Sequence, residues 1–231
     1  LTAPAIVTWL WGEKYSPEHV IRLGEQIRAH TTHEHRLVCV TDRKRIEGWH
    51  CVPMPERRPG LEREAIRMWT FSEAAMKLIG DRTLTLDVDM IVCGDLAPFL
   101  SERADFAIWK SDSVGKHGYA LNPSVMLQRW PNCQLLWKRF MKDPAWVMRN
   151  ARYAGWTGTE QAVISYYMAS AKPRLWTEED GIYSARLLED PVDLSIAEPP
   201  SDARIVSFHG KRDPADRDLH KRAPWLSKFW G

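Results

Sequence analysis

The sequence predicts an α/β protein built on a mostly parallel central sheet flanked by helices. Two observations carry that prediction. Short runs rich in β-branched residues alternate with amphipathic segments through the first half in the order β-α-β-β-α-β, the pattern of a parallel sheet wrapped by helices. The composition, 44% hydrophobic and 27% charged over 231 residues, is that of a globular protein with one sizeable core.

The elements follow in order. Ala5-Ile6-Val7-Thr8-Trp9-Leu10-Trp11 reads as a buried first strand closed by Gly12; it is the longest apolar run and far too short to cross a bilayer. Ser16-Pro17-Glu18 supplies an N-cap, a proline at the first helical position and an acid in the first turn, for a helix reaching about His30. Residues 36–41 form a second strand and residues 49–52 a short third. A loop rich in Pro and Arg follows, and then Leu61, Ala65, Met68, Trp69, Ala75, Met76 and Ile79 recur at a spacing that predicts one long amphipathic helix. Gly80-Asp81 stops it before an apolar strand that runs through residues 84–92. Residues 106–109 and 124–127 read as strands, 131–142 and 159–169 as helices. Residues 205–208 are a last strand that delivers His209-Gly210-Lys211 at its end. With no internal repeat and no low-complexity linker, the expectation is one domain over residues 1–210 and a short extension over 211–231.

Charge is unevenly spread. Residues 204–231 hold seven Lys/Arg and three Asp, or +4, against −2 for the other 203 residues. That tail also carries Trp225, Phe229 and Trp230, and basic plus aromatic character suits peripheral attachment to an anionic bilayer. The alternative is that Trp225 and Trp230 pack on the domain while the charges stay solvated. Nucleic acid is not an expected partner, since no basic stripe or recognition motif extends beyond the tail. Cys39, Cys51, Cys93 and Cys133 lack metal-ligand spacing and read as reduced thiols of a cytoplasmic protein.

The chemistry concentrates in Leu84-Thr85-Leu86-Asp87-Val88-Asp89-Met90-Ile91-Val92. Alternating side chains on a strand put Asp87 and Asp89 on one face. Two like charges on an apolar segment are costly to hold unpaired, and a hard divalent cation such as Mg²⁺ or Mn²⁺ relieves the repulsion through oxygen ligands. A surface edge strand with solvated carboxylates is the plain alternative. In open parallel sheets, ligands sit beyond the carboxyl ends of the strands, where this pair falls.

The segment Thr85 to Leu96 resembles the metal-binding signature of nucleotide-sugar glycosyltransferases of the GT-A fold. It is particularly similar to the retaining family 8 enzymes, which include glycogenin and bacterial lipopolysaccharide galactosyltransferases. Three further segments agree in order and rough spacing: Asn122-Pro123-Ser124-Val125-Met126-Leu127, Thr159-Glu160-Gln161 and Phe208-His209-Gly210-Lys211. The resemblance covers roughly residues 4–214 and implies a Rossmann-like nucleotide-diphospho-sugar transferase. It implies that Asp87, Asp89 and His209 hold Mn²⁺ or Mg²⁺ and that Lys211 adds a positive charge on the donor diphosphate. Thr8 and Trp9 match where the family holds the uracil, largely through backbone groups, and Arg67 falls near a basic residue that contacts the donor; Arg57 and Arg58 are further candidates for phosphate. Asn122, Glu160 and Gln161 are expected to line the donor-sugar and acceptor side. Here the sequence departs from the pattern: Glu160 stands where the family has Asp, Ser124 where it has Gly, and Pro123 stiffens the approach.

The expected activity is metal-dependent transfer of a sugar from a nucleotide diphosphate, a UDP-sugar, to a hydroxyl of a surface glycan or glycolipid. The expected place is the cytoplasm or the inner face of the membrane. Glu160 reads either as a general base or as a hydrogen-bonding partner of the donor sugar. Two other readings stand beside this one. A nucleotidyltransferase would want a Gly-rich basic loop after the first strand, and Trp11-Gly12-Glu13-Lys14 is a poor match. A non-catalytic relative would bind nucleotide-sugar or glycan without turnover.

Overall fold

The structure, a computed structural model, describes residues 3–57, 61, 63–115, 118–156, 160–208, 210 and 212–230, apart from the side chains of residues 111–115, 118–120 and 169. Two sheets organise it. Strands β1 (Ala5–Leu10), β2 (Arg36–Thr41), β3 (His50–Pro53) and β4 (Arg82–Leu86) lie parallel in the order β3-β2-β1-β4. A hairpin of β6 (Phe106–Gly115) and β7 (Gly118–Arg129) extends this sheet, with β7 antiparallel to β4, and β8 (Arg174–Trp176) closes the edge parallel to β6. The second sheet holds β5 (Met90–Val92), β10 (Ile205–Ser207) and β9 (Ile182–Ser184) in that order. The fold class expected from the sequence is the one observed.

β1 is buried along its whole length because β2 and β4 flank it and helices cover both faces. Helix α1 (Pro17–His30) starts at the Ser16-Pro17 signal and buries Val20, Leu23 and Ile27. Gly24 sits on that face because a Cβ there would come within 2.6 Å of Trp49 Nε1.

Several expectations need correction. The helix expected over 61–79 is two pieces, a 3₁₀ helix over Arg63–Phe71 and helix α2 (Glu73–Ile79). The break is at Ser72, whose hydroxyl accepts the Ala75 N–H and restarts the chain as an N-cap. The strand expected through 84–92 is also two, since β4 ends at Leu86 and β5 starts at Met90 in the other sheet. Asp87 and Asp89 therefore occupy a turn between two sheets, not one strand face. Helix α3 (Ala97–Leu100) follows, with Asp95 Oδ1 accepting the Ala97 N–H at 2.9 Å.

Helix α4 (Gln134–Phe140) falls inside the segment expected to be helical, and α5 (Pro144–Tyr153) and α6 (Glu160–Met168) complete the cover on β6 and β7. The C-terminal segment is built into the domain. It forms α7 (Arg217–Arg222), a 3₁₀ turn over Pro224–Leu226 and α8 (Ser227–Trp230). Leu219, Ala223, Trp225 and Leu226 are buried against Ile91, Val206 and Phe208 of the small sheet. Full burial of a large apolar side chain contributes about 1.5–3 kcal/mol, so this segment is anchored by several such contacts. Four of its cations are paired: Arg212 and Arg222 both reach Glu189, Lys221 reaches Asp218 at 2.6 Å, and Lys228 reaches Glu198. Among the described residues, no helix is long and apolar enough to cross a membrane.

Candidate active site

A cleft of about 280 Å³ opens beyond the carboxyl ends of β1 and β4. Its walls are Trp9 and Leu10 from β1, Trp11, Lys14 and Tyr15 from the following turn, Glu64 and Arg67 from the 3₁₀ helix, and Asp87, Val88 and Asp89 from the β4–β5 turn. Gly12 lets the chain leave β1 at φ +67, with its N–H held by Asp42 Oδ2 at 3.0 Å.

Asp87 is held on three sides. Its N–H donates to Ser124 O at 3.1 Å, the Ser124 hydroxyl donates to Oδ2 at 2.6 Å, and Arg67 Nη2 lies 2.6 Å from Oδ1. Ser124 can do this because β7 bulges there. Register jumps from Ile108↔Met126 to Trp109↔Asn122, Asn122 Oδ1 accepts the Ser124 N–H at 3.0 Å, and Pro123, which has no N–H to give a ladder, sits in the bulge. The departure from the family pattern at Ser124 thus supplies the hydroxyl that fixes Asp87.

Arg67 joins the two sides of the site. Its guanidinium reaches Asp87, Glu160 Oε1 at 3.2 Å and the Pro123 carbonyl at 3.4 Å, with the side chain only 12% exposed. Burial works against its charge, but Asp87 and Glu160 outweigh that and hold its pKa above the ordinary value. Glu160 is 6% exposed and lines a small void behind Arg67 with Thr85 and Ile164, not the open cleft.

Asp89 has a different environment. Tyr15 donates its hydroxyl to Oδ2 at 2.6 Å. Burial first, and the charge of Asp87 second, push the Asp89 carboxyl up to about 6, while the Tyr15 bond pulls the other way. Burial and the Asp89 charge in turn push the Tyr15 phenol far up, so it stays a neutral donor.

Of the residues expected from the sequence, the structure brings together Trp9, Arg67, Asp87, Asp89, Asn122 and Glu160. Trp9 stands edge-on between Trp11 and Trp69, mostly buried but on the cleft wall. Thr8 is wholly buried, and its side chain is not among the described residues that line this cleft. Arg57 is exposed and stands away from the cleft wall. Gln161 follows Glu160 on α6, half-buried. His209, Lys211 and Arg58 lie outside the described residues. β10 nonetheless leads to the site, because Phe208 N–H donates to Asp89 O at 3.1 Å. Tyr15, Lys14 and Ser124 complete the site without having been singled out as site residues by the sequence.

The donor set suits a hard divalent cation. On the described wall of the cleft Asp87 and Asp89 stand beside Glu64, Lys14 and Arg67, and carboxylate oxygen is the ligand such a cation prefers. Asp87 and Asp89 are its two described ligand candidates, and no cluster of three His, Cys, Asp or Glu occurs among the described residues.

No family model and no curated protein sequence matches the chain. Solved structures do. The galactosyltransferase LgtC in complex with donor and acceptor sugar analogues aligns at TM-score 0.61 and 14% identity, over 97% of this chain and 93% of that one. An active-site mutant of LgtC aligns at TM-score 0.64 and 12% identity with the same coverage. The apo glycosyltransferase GlyE of Streptococcus pneumoniae TIGR4 aligns at TM-score 0.63 and 13% identity, over 99% of this chain and 60% of that chain. At such identities the likeness speaks for architecture, and the architecture is clear: the chain has the GT-A glycosyltransferase fold.

Proposed function

We propose that this chain is a metal-dependent glycosyltransferase that moves a sugar from a nucleotide diphosphate donor, a UDP-sugar, to a hydroxyl of a glycan or glycolipid. The observation that carries the reading is the Asp87–Asp89 turn at the carboxyl end of β4, on the wall of a cleft that it shares with Lys14, Tyr15 and Arg67. Asp87 and Asp89 would hold Mn²⁺ or Mg²⁺, with His209 as a third ligand. When bound, the cation supplies Lewis-acid stabilisation of the charge that develops on the leaving diphosphate.

The chain's own residues set the rest. Ser124 and Arg67 fix the angle of Asp87, and Tyr15 fixes that of Asp89. Lys14 lines the same cleft and presents a cation on the diphosphate side. Trp9 and Trp11 present indole edges where the nucleotide base would enter. An inverting transfer needs a carboxylate base in line with the acceptor hydroxyl. Glu160 is turned inward onto Arg67, which supports the retaining course and a positioning role for Glu160.

Calorimetric titration of UDP and of GDP, each with Mn²⁺ and with EDTA, tests the reading on the intact chain and on Asp89→Ala. The expected result is UDP binding that needs metal and is lost in the variant. Absence of metal-dependent binding of either nucleotide would overturn it.

A further inference from the structure

The outward face of α4 and α5 is basic and aromatic. Residues 131–156 hold five Lys/Arg and one acid, Asp143. That acid caps α5, its Oδ1 accepting the Trp146 N–H at 2.9 Å. Lys138, Lys142, Arg149 and Arg152 are all exposed, and none makes an ion pair among the described residues. α5 is cleanly two-sided: Val147 and Ala151 are buried, while Trp146 is 51% and Tyr153 90% exposed on the same side as the arginines. Leu135 of α4 adds a further exposed apolar side chain.

The chemistry of this face narrows its occupant. A second copy docking through the same face in a two-fold arrangement would set cations against cations. A duplex nucleic acid would use the charges but leaves Leu135 and the aromatics without a role, and a single strand would stack on the aromatics but leave Leu135 unused. An anionic bilayer uses all three: aromatic rings settle at the headgroup level, the Lys and Arg heads meet lipid charges, and their alkyl stems lie along the apolar boundary. We propose that the α4–α5 face docks the protein on an anionic lipid surface, with Trp146 and Tyr153 seated among the headgroups. α5 packs on α6, whose first residue is Glu160, and six residues separate Tyr153 from it in the chain. Docking by this face thus sets the bilayer on the side of the domain that carries α6 and Glu160. The C-terminal segment, of similar composition, is less suited to the role because Trp225 is buried, Phe229 and Trp230 are partly buried on the domain, and Arg212, Lys221, Arg222 and Lys228 are paired.

The test is co-sedimentation with vesicles of phosphatidylcholine alone and of phosphatidylcholine with phosphatidylglycerol. Binding is expected only with phosphatidylglycerol, falling as salt rises. Each basic charge near such a surface strengthens binding about fivefold, so the Arg149→Gln/Arg152→Gln double variant should bind roughly 25-fold more weakly. Trp146→Ser should also weaken binding, while Lys221→Gln/Lys228→Gln should leave it unchanged. All these positions are exposed, and equal melting temperatures confirm equal folding. No binding to anionic vesicles, or binding unaffected by the double variant, overturns the proposal. So does binding of a single-stranded oligonucleotide in place of vesicles, or a dimer in sedimentation velocity that Trp146→Ser dissolves. The nucleotide titration reads a separate property, so failure of either proposal is distinguishable from failure of the other.

Discussion

Asp87 and Asp89 sit two residues apart in one turn and live in opposite electrostatic conditions. Asp87 has a guanidinium on one oxygen and a hydroxyl on the other. Asp89 has a neutral phenol, the like charge of Asp87 and a carboxyl raised to about 6. The difference divides labour within the pair. The protein already neutralises Asp87, so that residue anchors the turn to β7 and to the 3₁₀ helix. Asp89 has no ion pair among the described residues and a carboxyl raised by burial, and is therefore the one whose ionisation a cation would most favour.

The strongest way to break this comparison is to remove Arg67. Arg67→Met strips the counter-charge from Asp87 and Glu160 together, and unpairing a buried ion pair costs about 3–5 kcal/mol. The expected outcome is a large loss of stability in urea titration. If Asp87 instead behaves like Asp89, with solvent or phenol enough to hold it, the variant will unfold at nearly the wild-type midpoint.

Asp89→Asn sharpens the same contrast from the other side. Losing one preorganised electrostatic contact lowers rate by about 10²–10³, so sugar transfer and Mn²⁺-dependent UDP affinity should fall steeply. Stability should not fall. Because the folded pKa of Asp89 is raised, its ionisation opposes folding: the protonated form is favoured below about pH 4, and that advantage is lost as pH rises through about 6. In EDTA, wild-type stability should therefore decline between pH 4 and 6 by on the order of 1–2 kcal/mol, since half-burial leaves the carboxylate partly screened. The Asn variant should lack that slope and melt higher than wild type at pH 7.5. Mn²⁺ affinity of the wild type should rise over the same interval. A Tm profile with the same slope in the variant would place the titration elsewhere.

Much of this arrangement is legible in the sequence, and the limits have physical causes. Ser16-Pro17 and the run from Arg36 to Thr41 locate α1 and β2 to the residue, because capping chemistry and β-branched runs are local signals. Asp143-Pro144 carries the same signal for α5. The periodicity of residues 61–79 is real, but apolar spacing near three to four fits a 3₁₀ helix as well as an α-helix, and only the Ser72 cap separates the pieces. Tyr15 is invisible at the level of spacing, since the bond to Asp89 joins residues 74 apart in the chain. The C-terminal charges illustrate another limit: composition counts Arg212 and Arg222 but cannot reveal that Glu189 lies between them.

The finest test of the comparison is Tyr15→Phe. It removes one hydroxyl and leaves the ring that stacks on His19, 5.1 Å away, in a helix start already tied to Asp213 by His19 Nε2 at 2.9 Å. A hydrogen bond to a charged acceptor contributes about 1.5–3 kcal/mol, but here the phenol serves a carboxylate whose charge burial disfavours, so the net loss should sit near the low end. If Tyr15 only fills space, Mn²⁺ affinity will be unchanged. If it aims Asp89, affinity for Mn²⁺ should drop about tenfold beside only a small fall in metal-free melting. The Asp89 carboxyl should then titrate higher still, because the bond that pulls its pKa down is gone. Ser124→Ala is the matched control on the other carboxylate. Arg67 still holds Asp87 there, so the effect on metal affinity should be smaller than that of Tyr15→Phe, and the reverse order would mean that Asp87, not Asp89, is the carboxylate the fold has left for the cation.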